Sequence, residues 1–462
     1  MNYSSEHLSD TLCQHIAHSR YENIPAASLE AARRVVLDAT GVMLAASGLS
    51  PEIVPFVNYA RLNSGVGPCA ILGFGDAVSA PMAALANGAM AHALDFEDAF
   101  DPAPCHPNAA TVPSAIAIAQ ACGPIAGTEF LSAIAIGCDL VCRMGLSLRQ
   151  TMEESGWYPP PILGAFGATA AASRLLGLTA DQTRDALSLA LCQATAPGEI
   201  KHSEGTIVRA VREAFPAQAS VLSALLARDG VKGFEAPLEG KAGFFRLFAD
   251  GHYDCADLLE NLGTHYHVER LSFKPWPACR GTHAYIELAL SLAGKHRFSW
   301  QDIESINVVT GPVQRMLLEP AARKQAPRTV IDAKFSIPFT LAVALVQGDV
   351  TLGDFNAATL RNPHILALAG RVQSEERPDW GRDKAAAGAL SLALRDGRVV
   401  SASVEQALGH PDSPLSNALL LEKFISCCGH AVRPIGAETA AIFAQQILTL
   451  ENSPDCGNIF RR

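Results

Sequence analysis

Residues 88–108 hold two histidines (His92 and His106), four acids (Asp95, Glu97, Asp98 and Asp101) and Cys105, in a chain whose other stretches are dominated by Ala, Leu, Ile and Val. Packing apolar helices does not call for so many ionisable groups, so this is the candidate active-site segment. A carboxylate beside an imidazole orients it, raises its basicity and makes it a general acid or base. Asp95 and His106 are the candidates for that work. His106 also stands just before a helix expected to start at Pro107, and the free N–H groups of a helix N-terminus suit a substrate carboxylate. His92 reads as a satisfied core histidine, and Glu97, Asp98 and Asp101 as a solvated loop. A metal site would use the same residue types, but no strong ligand spacing supports one and none is expected.

A second group lies at 273–283, Phe-Lys-Pro-Trp-Pro-Ala-Cys-Arg-Gly-Thr-His, where Lys274, Arg280 and His283 carry or can acquire positive charge. Gly281-Thr282 is a good helix entry, so His283 falls in the first turn of the next helix. A helix cap with a stray histidine would look the same. A third group is Lys201, His202, Arg209 and Arg212. Arg209 and Arg212, three apart on one helix, form a candidate clamp for a carboxylate. Exposed arginines paired with Glu213 are the alternative. Tyr158, just before Pro159-Pro160-Pro161, can pass a proton if its pKa is lowered, although an ordinary packed tyrosine is the simpler reading.

Helices must position these groups. Apolar spacing predicts amphipathic helices over 6–20 and 26–47, the second from Leu29, Ala32, Val36, Ala39 and Val42. Further helices are expected at 51–63, 79–94, 107–121, 128–150, 159–176, 179–194 and 207–227, with an extended piece at 69–74 and a polar loop at 197–206. His92 and Asp95, at the end of the 79–94 helix, would share a face. Near residue 267 the pattern changes: 268–273, 303–310 and 399–404 read as strands, with helices 281–295 and 332–346 between them. Helical pattern returns at 415–425 and 437–450. The expected fold class is mainly α: a large all-helical domain, 1–267 plus 406–462, with a smaller α+β domain, 268–405, inserted before the C-terminal helices.

Composition narrows the function classes. The 462 residues are 49% apolar and 18% charged, with mean hydropathy +0.16, as in a well-packed globular protein. A formal charge of −10 and the lack of a basic cluster argue against nucleic acid or an anionic membrane as partner. The N-terminal stretch shows no signal-peptide pattern, and no run approaches about 18 unbroken apolar residues. Twelve cysteines without a CxxC pair read as reduced, mostly buried thiols of a cytoplasmic enzyme, and zinc is improbable on spacing. There is no Walker A motif, no GxGxxG in a βαβ frame and no GxSxG elbow, and Gly164-Ala-Phe-Gly167 lies in a helical pattern. These residues allow an acid/base enzyme that needs no cofactor and acts on a small anionic substrate.

Three segments together resemble the MmgE/PrpD family: Ala91-His92-Ala-Leu-Asp95-Phe-Glu-Asp with His106-Pro107, Lys274 to His283, and Asp332-Ala-Lys334-Phe-Ser-Ile-Pro-Phe339. The family contains 2-methylcitrate dehydratases, cis-aconitate decarboxylases and iminodisuccinate epimerases. The resemblance implies a helical domain plus a smaller α+β domain, a homodimer, a site between the domains and no cofactor. It places Asp95, His106, Lys274 and His283 at active-site positions. Tyr158 stands where the decarboxylase has a histidine, Arg209 where it has a lysine, Phe339 where it has a tyrosine, and Ala99 where it has a threonine. These departures weigh against cis-aconitate decarboxylation. Removal of a proton α to a carboxylate opens both dehydration and epimerisation, but epimerisation needs only proton return on the opposite face. The reading taken is an isomerase of the iminodisuccinate-epimerase kind, with Asp95, His106, Tyr158, Lys274 and His283 catalytic and Arg209, Arg212 and Arg280 binding a small di- or tricarboxylate. A 2-methylcitrate dehydratase-type lyase is the alternative, and a non-catalytic ligand-binding member is a further one.

Overall fold

Small residues let long helices meet at close range. Where the Gly127–Ser147 and Pro159–Leu175 helices cross, a Cβ on Gly167 would lie 2.2 Å from Val141 Cγ2 and 2.4 Å from the Gly137 carbonyl oxygen. The glycines of the Gly164-Ala-Phe-Gly167 run are thus packing residues. The computed structural model describes residues 7–203 and 206–461. Residue 6 of the first expected helix and residues 204–205 of the expected polar loop lie outside them. The chain divides into two units, Met1–Leu271 with Asn417–Arg462, and Ser272–Ser416.

The first unit is mainly α. Its centre is the Pro107–Cys122 helix, buried on every side from Pro107 to Gln120. A helix that is apolar all round must be enclosed by others. It packs against the Ala80–Ala93, Gly127–Ser147, Pro159–Leu175 and Ala214–Arg228 helices. Ser114 within it donates to the Ala110 carbonyl at 2.7 Å and meets the Ser220 hydroxyl at 2.9 Å, so its hydroxyl is satisfied without water. The Gly127–Ser147 helix is long and apolar enough to cross a membrane by length and composition, yet 89% of its apolar window is buried within the protein. It also carries a buried Asp139–Arg143 pair at 2.6 Å, whose guanidinium donates to the Leu258, Glu260 and His265 carbonyls. It is a core helix.

The helix expected over 207–227 is two, Val208–Val211 and Ala214–Arg228. Pro216 is the cause: it lacks an N–H, and its ring clashes with the carbonyl four residues back, that of Arg212. The break turns Arg212 and Glu213 inward, and both are buried.

The second unit is built on a four-stranded sheet in the order Val372–Glu376, Ile303–Thr310, Gly388–Leu394, Val399–Val404. The first pair is parallel and the other two antiparallel. Ile303, Ile306 and Val308 alternate inward, and Leu390, Leu392 and Leu394 do the same on the neighbour. Together with Ala289 and Leu292 of the His283–His296 helix and Phe339 and Leu341 of the Ile337–Gln347 helix, they make one core.

Three expectations need correction here. Residues 268–273 are no strand: His267–Arg270 is a 3-10 turn, followed by extended chain. The helix expected at 332–346 is interrupted after Lys334, and Ser336 caps the second piece by accepting from the Phe339 N–H at 3.0 Å. The inserted unit runs to Ser416 and not to 405, because residues 407–409 are tied back into it. Gly409 accepts from the Phe273 N–H at 3.0 Å, Leu408 donates to Glu287 at 2.7 Å, and Arg280 donates to the Ala407 and Leu408 carbonyls.

Candidate active site

The Ala80–Ala93 helix ends before Asp95, which lies beyond it with φ +50° and its N–H on the His92 carbonyl at 2.8 Å. A left-handed non-glycine residue is a strained backbone position, tolerated best by Asp and Asn. His92 and Asp95 therefore do not share a helical face. Their nearest approach is still 3.9 Å, from the imidazole Nδ1 to Oδ1.

Glu97 and Asp98 are fully buried and not part of a solvated loop. One oxygen of Glu97, Oε1, lies 2.6 Å from His92 Nδ1 and 3.1 Å from His106 Nδ1. The two rings sit 5.7 Å apart across it. His106 Nδ1 is also 2.6 Å from the Asp98 carbonyl oxygen. A carbonyl only accepts, so Nδ1 carries the proton and the neutral ring keeps its lone pair on Nε2. His92, Asp95, Glu97 and Asp98 are 0–1% exposed, and His106 alone in this cluster reaches the surface, with 18% of its side chain accessible. This geometry lets His106 Nε2 accept a proton, with Glu97 Oε1 3.1 Å from Nδ1 beside the imidazolium that would result.

Asp98 has a different task. Both of its carboxylate oxygens accept from the Asn108 N–H, at 3.1 and 3.3 Å, in the first turn of the Pro107 helix. The N–H expected to meet a substrate carboxylate is held by one of the protein's own.

The inward turn after Val211 builds a second cluster. Arg212 Nε donates to Glu213 Oε1 at 3.0 Å, and Nη1 donates to the Tyr158 hydroxyl oxygen at 2.9 Å. The guanidinium also lies 5.0 Å from the Tyr158 ring centroid, and Lys201 Nζ lies 5.5 Å from it. Two faces of Arg212 are therefore committed within the protein. Its Nη2 and Glu213 Oε2 are buried without a hydrogen-bond partner among the described residues. Burial opposes the Arg212 charge, but Tyr158, Glu213, Glu97 and Asp95 outweigh it and hold its pKa above the ordinary value. Burial pushes the Glu213 carboxyl up to about 7, against the pull of Arg212. Burial also lowers the pKa of Lys201. Since Tyr158 oxygen accepts from Arg212, its own O–H is available to donate. Arg209 is buried in the preceding turn. A pocket of about 510 Å³ adjoins this cluster, with Arg212, Pro161, Thr195, Glu199 and Phe215 in its wall.

In the α+β unit, Lys274, Arg280 and His283 are all buried. Arg280 Nη1 and Nη2 donate to the Leu408 and Ala407 carbonyls at 2.8 and 3.0 Å. His283 Nε2 donates to the Ala278 carbonyl at 3.0 Å, and its ring meets Trp276 edge-on at 5.4 Å. Phe339 belongs to the core of this unit.

Among the described residues, His92, Asp95 and Glu97 could gather around a cation, with donor atoms within 4.8 Å of one another. The 2.6 Å between His92 Nδ1 and Glu97 Oε1 is a hydrogen-bond length, shorter than the roughly 3 Å separating two ligands about 2 Å from one ion. Sequence reasoning missed Glu97, Asp98 and Glu213. Glu97 lies in the same motif as Asp95, but its position just after a helix reads as a solvated loop.

The MmgE/PrpD N-terminal domain matches residues 10–255, and the MmgE/PrpD C-terminal domain matches residues 276–448. The chain is 26% identical to a cis-aconitate decarboxylase of Aspergillus terreus over 91% of its own length and 89% of the relative. It is 25% identical to a cis-aconitate decarboxylase of Homo sapiens over 93% and 88%. A 2-methylcitrate dehydratase of Cupriavidus necator is 27% identical over 57% and 56%. These relatives are lyases, and the epimerase reading draws no support from them. With both domain matches and near full-length similarity, the chain belongs to the MmgE/PrpD family.

Proposed function

We propose that the protein is a lyase of small di- or tricarboxylates that removes a proton α to a carboxylate and expels water from the neighbouring carbon. The observation that carries this is the buried Glu97 oxygen held between two imidazoles. In the proposed step, His106 Nε2 takes the α-proton and the C–H electron pair becomes the new C=C bond. The hydroxyl leaves as water with a proton from Tyr158, whose phenolate is stabilised by Arg212. Dehydration needs this acid, and the Tyr158–Arg212 contact supplies one. Arg209 provides positive charge for a substrate carboxylate. Lys274 and His283 enter the proposal through the motif match alone.

Decarboxylation is the second reading, favoured by similarity to decarboxylases over 91% of the chain. The substitutions at Tyr158, Arg209, Phe339 and Ala99 weigh against it. Proton NMR in D2O on citrate, 2-methylcitrate and cis-aconitate separates the outcomes. An alkene formed from a hydroxy acid supports the proposal. Loss of CO2 from cis-aconitate replaces it with the second reading, and α-proton exchange without elimination would sink both.

A further inference from the structure

The loop between Ala93 and Pro107 has little regular structure of its own, yet it must hold Asp95, Glu97 and His106 in fixed positions. A buried backbone outside regular structure needs partners for its carbonyls. That of Phe96, between Asp95 and Glu97, accepts from Lys423 Nζ at 2.7 Å. Lys423 belongs to the Asn417–Gly429 helix and is almost wholly buried. The same ammonium lies 3.8 Å from the Phe96 ring centroid and 2.6 Å from Asp38 Oδ1. Asp38, on the Ala26–Leu49 helix, accepts through Oδ2 from Asn108 Nδ2 at 3.3 Å. Asn108 in turn donates its N–H to Asp98. One ion pair from two other helices therefore grips the loop at its start, through Phe96, and at its end, through Asn108.

We infer that Lys423, with Asp38, is a positioning device for the catalytic loop, setting Glu97 between the two histidines without touching substrate. The inference rests on the proposed function in taking that loop as the catalytic one. An ordinary buried salt bridge would stabilise the fold without regard to where Glu97 sits. This one is joined to the loop by a main-chain carbonyl, a ring face and an asparagine, and each can transmit a displacement to Glu97 or His106.

Lys423→Met alone would leave Asp38 buried and unpaired and endanger folding. The decisive variant is Asp38→Asn with Lys423→Met, which removes both charges. Two readouts are taken. Hydrogen–deuterium exchange of the 94–108 peptide should speed up by about tenfold, with the Gly127–Ser147 helix unchanged. On the substrate found in the NMR screen, kcat should fall by about 10²-fold with KM within about threefold, since misplaced catalytic groups cost turnover more than binding. Lys423→Arg, which keeps a donor and a charge, should recover part of kcat. Unchanged exchange in 94–108 overturns the inference, and so does full kcat in the double variant. If the wild type turns over no carboxylate, the proposed function fails, and the exchange arm still decides whether Lys423 holds the loop.

Discussion

The loop at 94–108 and the segment at 274–283 are each dense in ionisable groups, but they use them differently. In the loop a carboxylate meets imidazoles, with Glu97 between His92 and His106, beside carbonyl contacts of His106 with Asp98 and of Lys423 with Phe96. In the other segment, donors meet main-chain carbonyls: Arg280 on Ala407 and Leu408, His283 on Ala278, and Lys334 on Pro277 at 3.1 Å. A carbonyl cannot accept a proton permanently, so such contacts fix shape and leave charge where it is. A carboxylate beside an imidazole shares a proton and can move it. On the proposed function, the Glu97–imidazole contacts move a proton, while these carbonyl bonds of Arg280, His283 and Lys334 hold shape.

The sharpest test is Glu97→Gln. It keeps the side chain's size and one acceptor but removes the charge between the histidines. We expect kcat to fall by about 10³-fold, with a small change in melting temperature. If the loss of activity merely tracks a loss of stability, the loop is structural and the contrast fails. Tyr158→Phe comes next: removing the proposed acid should lower kcat by about 10²-fold and leave KM nearly unchanged in steady-state kinetics. A rise in KM with kcat unchanged would make Tyr158 a contact and not an acid.

From the other region, Lys334→Met removes a donor to the buried Pro277 carbonyl and the contact with the Phe355 ring at 4.4 Å. Denaturant unfolding should show a loss of about 1–3 kcal/mol, and the folded enzyme should keep its turnover. A large loss of kcat at full stability would mean that this region does more than hold shape.

The smallest effect concerns Glu213, whose carboxyl is pushed up to about 7 by burial. A carboxyl raised in the folded state binds its proton more tightly folded than unfolded. Its contribution to stability is present below the ordinary carboxylate range and is lost as pH rises towards 7. Glu213→Gln cannot lose that contribution. The melting temperature of wild type minus that of the variant should therefore decrease between pH 5 and pH 8. A constant difference would show that Glu213 is ionised across the whole range.

The sequence disclosed the loop because its acids and histidines stand out from an alanine-rich background. It did not disclose that Glu97 and Asp98 are buried, since a run of acids after a helix looks like a solvated turn. The loop beside them is held at the Phe96 carbonyl by a lysine 327 residues further on from Phe96, and no local pattern carries that. The strand at Gly388–Leu394 was missed for a related reason. Gly-Ala-Leu-Ser-Leu-Ala-Leu lacks β-branched residues and has helical propensity, but pairing on both sides with Ile303–Thr310 and Val399–Val404 decides its form.

By itself the sequence determined the helix-rich class, a smaller sheet-bearing region towards the C-terminus and the motif stretches, because periodicity, prolines and residue types are local. The tertiary structure alone decided which oxygen each histidine meets, that Arg212 faces Tyr158 and Glu213, and that the loop is gripped at both ends. Those outcomes depend on burial, and burial is a property of residues brought together from distant parts of the chain.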